Sequence, residues 1–168
     1  PFRIIVADND PIKKEAVALV NMLIEQGYPH KIQAVVVPQR GISAARNALC
    51  DNFQSDPAAN WLAMVDDDQV VDSQWLSELL KTAKETNSDC IASSVVARFD
   101  ADPPNWVHSA SIFKKDNSTD GRVDLITATN GIMLSKKVSD VIGTHPFDNR
   151  YNLSGGGDLD FFKRCQKE

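Results

Sequence analysis

Asp66, Asp67 and Asp68 stand in a row directly after the apolar run "WLAMV" (61–65). Adjacent like charges repel, so the run needs either solvent or a cation. Carboxylate oxygens are hard ligands that suit Mg²⁺ or Mn²⁺, ions that also bind substrate phosphates. The alternative is a solvated turn capping a helix that starts near Ser73. A bare Asp run favours the turn, and a place at the end of a buried strand favours the metal. A second cluster is "QRGISAARNAL" (39–49). Gly41 permits a tight turn, the helix N-terminus behind it favours an anion, and Arg40 and Arg46 can each grip a phosphate bidentately. Taken alone, this segment reads first as an ordinary amphipathic helix with solvated arginines. The third is "SGGGDLDFF" (154–162), whose glycines allow close backbone approach to a ligand. Asp158 there suits a general base, or an N-cap, or both. Asp8 ends a fourth segment, "FRIIVAD".

Strands and helices in alternation must position these groups. "FRIIVAD" (2–8), "IQAVVV" (32–37), "WLAMVD" (61–66) and "DCIASSVVARF" (89–99) are short apolar runs that predict buried strands. Helices are predicted after Asp10–Pro11, as N-cap and N1, up to Gly27, then over 42–53, and over 73–86 with Ser73 as N-cap. "RVDLITATNGIMLS" (122–135) returns to strand, "KKVSDVIG" is a short helix closed by Gly143, and a further helix starts in the Gly-rich tail. The alternation predicts an α/β fold with a largely parallel sheet, whose strands are buried on both faces and so unbroken in apolarity. In such sheets ligands bind beyond the carboxyl ends of the strands, where Asp8, Arg40–Arg46 and Asp66–Asp68 all fall. The polar stretch 100–121 is too long for a mere connection and is expected to be functional or mobile.

Composition narrows the partners. A net charge of −5 and a pI near 5.2 argue against a nucleic-acid surface, which needs a basic stripe. No apolar run approaches the length of a membrane span. Cys50, Cys90 and Cys165 form no CxxC pair, which fits a reducing compartment better than a zinc site or disulfide framework. The start "PFRIIVADND" has neither an initiator Met nor a signal pattern and reads as an excised beginning. The glycosylation sequons at Asn117 and Asn152 carry no weight.

The order of these segments resembles the catalytic domain of family 2 glycosyltransferases. Those proteins have a strand ending in Asp, like "IIVADND" with Asp8, and a Gly-x-x-x-Ala-Arg-Asn segment, like "GISAARN" with Arg46 and Asn47. They continue with an Asp-x-Asp motif before a Trp-Leu helix, like "MVDDDQVVDSQWL", and a strand with small residues, like "TATNGIMLS". Last comes an acidic motif preceded by Phe-Asp, which "PFDNRYNLSGGGDLDFFKR" is similar to, with Gly157 where the family usually has Glu. The resemblance spans residues 2–165 and implies a GT-A-like, Rossmann-like three-layer α/β/α sandwich with a mostly parallel central sheet. It implies one catalytic domain over 1–168, as a fragment of a longer protein whose first strand is absent here.

The resemblance also implies an inverting sugar transfer from a nucleotide-diphosphate donor, most readily a UDP-sugar, to a saccharide or lipid-linked acceptor. Mn²⁺ or Mg²⁺ would sit on Asp68, with Asp66 on the metal through water or on the ribose. Asp8 would read the base, Arg40 and Arg46 would add positive charge near the diphosphate, and Asn130 and Gly131 would leave room for the donor sugar. Asp158 would be the general base. Trp106 could stack on an acceptor sugar, although a lone Trp more often anchors a loop, and His145 reads as packing ahead of a metal ligand. The location implied is cytoplasmic, including the inner face of a membrane. Two rivals remain: a haloacid-dehalogenase-type phosphatase with Asp66 as nucleophile, and a non-catalytic sugar-nucleotide-binding module.

Overall fold

The computed structural model describes residues 1–110 and 121–166 in two compact units, Pro1–Leu62 with Ser135–Glu168 and Ala63–Leu134. The Asn117 sequon and part of the 100–121 loop lie outside the described residues.

In the first unit, β1 (Arg3–Asp8) and β2 (Lys31–Val36) pair in parallel, from Arg3 opposite Lys31 to Asp8 opposite Val36. The crossover is α1 (Glu15–Glu25), and α2 (Ile42–Gln54) follows β2. The entrance to α1 comes later than Asp10–Pro11 predicts. Asp10 Oδ1 accepts from the N–H groups of Ile12 (3.1 Å) and Lys13 (3.2 Å), which closes a separate turn. Lys14 then adopts a left-handed conformation (φ 51°), so the helix proper starts at Glu15. Gly27 closes α1 as expected, at φ 78°, where a glycine escapes the Cβ penalty.

Helix α2 is fastened at both ends by side chains remote in sequence. At its start, Asn152 Oδ1 accepts from the Ala44 N–H (3.0 Å), and Asn9 Nδ2 donates to the Gly41 carbonyl (3.1 Å). Gly41 sits at φ 127°, and a Cβ there would lie 2.4 Å from the Asn152 side chain, so the position admits only glycine. At its end, Lys136 Nζ donates to the carbonyls of Phe53 (2.9 Å), Gln54 (3.0 Å) and Asp56 (3.3 Å). A cation belongs there, because the last carbonyls of a helix lack partners and carry its negative pole. Lys136 opens α5 (Lys136–Ile142), which a 3-10 turn (Asn149–Tyr151) separates from the last helix, Gly157–Cys165.

The three-stranded sheet orders β3 (Trp61–Met64), β5 (Ile132–Ser135) and β4 (Cys90–Ala92), with β5 between its neighbours. All four residues of β5 are buried, which accounts for an apolar run without alternation. Helix α3 (Trp75–Thr86) lies between β3 and β4 in the chain, and the short α4 (Asn105–Ser109) precedes β5. The last helix is therefore α6. Two expectations change here. Strand pairing is parallel for β1–β2 but antiparallel for β4–β5, where the described residues offer no long crossover helix of the kind parallel neighbours need. The predicted strands 89–99 and 122–135 shrink to Cys90–Ala92 and Ile132–Ser135. Val95, Val96 and Val123 have the β-branched shape of strand residues, yet they are exposed and find no ladder.

Two stability experiments follow. Gly41→Ala is expected to destabilise by at least about 1–3 kcal/mol through backbone strain. Asn152→Ala, which removes the overlap and also the bond to Ala44, should cost less in the Gly41→Ala background than in wild type, and a neutral Gly41→Ala in urea unfolding would contradict the packing described. Burial first, and the charge of Asp51 second, push the Cys50 thiol up from 9.0 to about 12. A raised folded pKa gives stability that is whole below about 9 and lost as the pH climbs toward about 12. Wild-type stability should therefore fall more steeply over that alkaline range than that of Cys50→Ala, by at most ~1.4 kcal/mol per pH unit. Equal slopes would contradict it.

Candidate active site

The first unit brings Arg46 and Asp158 together. Arg46 lies on α2 and Asp158 in the first turn of α6, and the guanidinium Nη1 donates to Asp158 Oδ1. Their side chains are only 10% and 20% exposed, so the pair is largely withdrawn from solvent, where removing one partner is expensive. Sequence reasoning gave these residues separate tasks. Their partnership spans 112 positions and no spacing rule reports it.

What holds Arg46 in place is its neighbour. Asn47 is buried, and its amide grips the backbone of Phe147 from both sides: Nδ2 donates to the Phe147 carbonyl and Oδ1 accepts from the Phe147 N–H, both at 2.8 Å. Phe147 is in turn 1% exposed, stacked on Phe161 of α6 with centroids 4.5 Å apart. The Arg46 guanidinium carbon lies 5.7 Å from the centroid of the Phe147 ring, within cation–π reach. Asn, Phe, Arg and Asp thus form one connected cluster on α2, the segment before the 3-10 turn, and α6.

The remaining first-unit candidates are anchored locally. Asp8 is buried, its Oδ1 accepting from the Asp10 N–H (3.1 Å) and its Oδ2 from the Val17 N–H (3.0 Å), so it pins the loop after β1 and the start of α1. Arg40 is exposed. Backbone bonds from Lys13 and Ile12 hold the Asp10 carboxyl below its ordinary range, and the charge of Arg40 adds to this. The anion expected at the start of α2 meets competition, because Asn152 already takes the Ala44 N–H. Asp160 is bound to Arg164 (3.0 Å) one helical turn on, and Arg164 also donates to the Pro146 carbonyl. His145 is exposed and hydrogen-bonded to Asp51 (2.8 Å) rather than packed. Gly157 is closely covered: a Cβ there would meet Tyr151 Cβ at 3.3 Å and Ser43 Oγ at 3.4 Å, so the family's Glu has little room.

In the second unit the Asp run forms a closed turn. The Gln69 N–H donates to the Asp66 carbonyl (3.2 Å), and the Asp66 N–H donates to Gln69 Oε1 (3.0 Å). Asp67 and Asp68 are exposed. Just before α3, Asp72 closes a turn, its Oδ1 accepting from the Gln74 N–H (2.9 Å), and the N-cap position falls on Gln74 and not on Ser73 or the Asp run. Asn130 and Gly131 are placed beside the end of β3, since the Gly131 N–H donates to the Met64 carbonyl (3.0 Å). Trp106 is 69% exposed on α4.

Asn47 entered the sequence reading only as a motif letter, yet it is the residue on which the first-unit cluster turns. Asn47→Ala would leave two buried backbone groups of Phe147 without partners, at about 1–3 kcal/mol each. A loss of stability below about 1 kcal/mol in denaturant unfolding would contradict that role.

Comparison with known proteins bears on the same residues. Residues 1–143 match the model of Glycosyl transferase family 2. The chain is 34% identical over 162 residues to the succinoglycan biosynthesis protein ExoM of Rhizobium meliloti (strain 1021), covering 96% of the chain and 50% of ExoM. It therefore spans about half the length of that relative. No solved structure matches. The Asp-ended β1, the Ala-Arg-Asn helix and the Asp run all lie inside the matched residues, and the chain belongs to glycosyl transferase family 2, with the GT-A α/β fold which that family carries.

Proposed function

We propose that this chain carries the donor-handling and catalytic residues of an inverting glycosyltransferase, which moves a sugar from a nucleoside diphosphate, a UDP-sugar by preference, to an acceptor hydroxyl. Family membership over residues 1–143 carries this reading and tells against a phosphatase. In the transfer, the acceptor oxygen bonds to the anomeric carbon as the bond from that carbon to the diphosphate breaks. The electron pair leaves with the diphosphate, and the acceptor proton goes to Asp158 as general base. Asp8 contacts the nucleoside, and Arg40 and Arg46 supply positive charge to the diphosphate. Arg46 links two events, because once Asp158 takes the proton the guanidinium loses its counter-charge and its positive charge acts more strongly on the leaving group. Asn130 and Gly131 receive the donor sugar.

Asp68 and Asp66 would hold Mn²⁺ or Mg²⁺, and a bound ion would supply Lewis-acid stabilisation of the leaving diphosphate. The residues fit such an ion, because Asp68 is an exposed carboxylate on a turn closed by other groups. Among the described residues no three His, Cys, Asp or Glu side chains converge as ligands. Such an ion bound by one or two carboxylates and the donor phosphates needs no such group. The ExoM relative is named for succinoglycan biosynthesis, which supports a saccharide or lipid-linked saccharide as acceptor. No helix among the described residues is long and apolar enough to cross a membrane. A cytoplasmic site of action, at the inner membrane face for a lipid-linked acceptor, belongs to the same proposal.

Calorimetry with UDP, GDP and dTDP in the presence and absence of Mn²⁺ tests this. Metal-dependent binding is expected, weakened at least tenfold in Asp68→Asn and retained in Asp67→Asn. Asp158→Asn should keep nucleotide binding and lose about 10²–10⁴-fold in transfer rate. Hydrolysis of p-nitrophenyl phosphate that disappears in Asp66→Asn would overturn the transferase in favour of the phosphatase.

A further inference from the structure

The second unit contains a side-chain hydrogen-bond relay laid over the backbone bonds that extend the β4–β5 and β3–β5 pairing to Ser93 and Gly131. Trp75 opens α3, and its indole Nε1 donates to Ser93 Oγ (3.0 Å). Ser93 Oγ donates onward to the Gly131 carbonyl (2.8 Å), which also accepts from the Ser93 N–H (2.8 Å). The Gly131 N–H is in turn committed to the Met64 carbonyl (3.0 Å), two residues before Asp66. Both backbone groups of Gly131 are therefore fixed. Its φ of 76° and the approach of Ser93 Oγ to 2.5 Å from a would-be Cβ leave no place for a side chain. A serine hydroxyl has one proton to give, and here it is given to Gly131 while the oxygen accepts from tryptophan. Each bond in such a chain polarises the next.

We propose that Trp75 and Ser93 are positioning residues for the donor sugar, acting through Gly131 and its neighbour Asn130. The inference rests on the reading that Asn130 and Gly131 receive that sugar. Phenylalanine at 75 keeps an aromatic ring but has no N–H, so Trp75→Phe removes the bond to Ser93. The indole N–H orients the Ser93 hydroxyl, and the hydroxyl reinforces at the carbonyl the placement that the backbone bonds with Ser93 and Met64 give the Gly131 peptide. Trp75, Ser93 and Gly131 are not among the residues assigned to the nucleotide, so the effect of the relay should be confined to the sugar.

Binding alone tests this without an acceptor. For wild type, Trp75→Phe, Ser93→Ala and the double variant, calorimetry with Mn²⁺ gives the affinity for UDP, GDP and dTDP and for their hexose derivatives. The quantity read is the ratio of sugar-nucleotide to bare-nucleotide affinity for the best wild-type pair. Both single variants should lower that ratio by about tenfold with the bare nucleotide unchanged, and the double variant should lose no more than either. Equal weakening of both ligands, or an unchanged ratio, overturns the positioning role and leaves the transferase reading standing. Failure of the wild type to bind any nucleotide in the panel overturns that reading, and the positioning role falls with it. Thermal unfolding of each variant shows whether a lost ratio reflects a lost fold.

Discussion

The Asn47 amide, holding the backbone of Phe147 by two bonds of 2.8 Å, is the constraint on which the first unit depends. A buried side-chain amide needs partners, and so do a buried backbone N–H and C=O. Here each satisfies the other, so the middle of α2 is tied to a segment a hundred positions on. Phe147 can then stack on Phe161 and offer its ring to Arg46. With α6 fixed by that stack, Asp158 meets the guanidinium. The charge pair stands on a neutral hydrogen-bond pair and an aromatic stack, both insensitive to salt.

The same helix shows why its ends matter. Asn152 gives its start an acceptor and Lys136 gives its end a donor, the groups an unassisted helix terminus lacks, and Asn9 adds a bond to the Gly41 carbonyl. Every one of these ties comes from outside the helix, so α2 owes its position to the assembled unit rather than to its own sequence. The second unit solves a similar problem with a different device. There a glycine peptide is clamped between the end of β3 and the Ser93–Trp75 relay.

Much of the scaffold was legible in the residues. Apolar runs placed β1, β2 and β3, helical spacing placed α2 and α3, and Gly27 and Gly143 marked helix ends. The order of the motifs led to the family. What escaped was set by long-range partners. Asp10–Pro11 reads as a helix start, but the left-handed Lys14 separates the turn from the helix. Ser73 has the chemistry of a cap, but the N-cap position falls on Gln74, and Asp72 instead closes a turn just before the helix. The run 94–99 has strand-forming residues without a neighbouring ladder to join. The Arg46–Asp158 pair and the Gly41–Asn152 fit join positions more than a hundred residues apart, and local patterns carry no record of such meetings.

Native-state hydrogen exchange at the Phe147 amide probes the central constraint most directly, because that N–H is bonded to Asn47 Oδ1. If the Asn47 grip holds the unit together, Phe147 should exchange only through global unfolding. Its opening free energy would then equal the stability from denaturant unfolding and fall with denaturant at the same slope. Exchange through a local opening several kcal/mol below global stability, with the β1 and β2 amides still protected, would contradict the account.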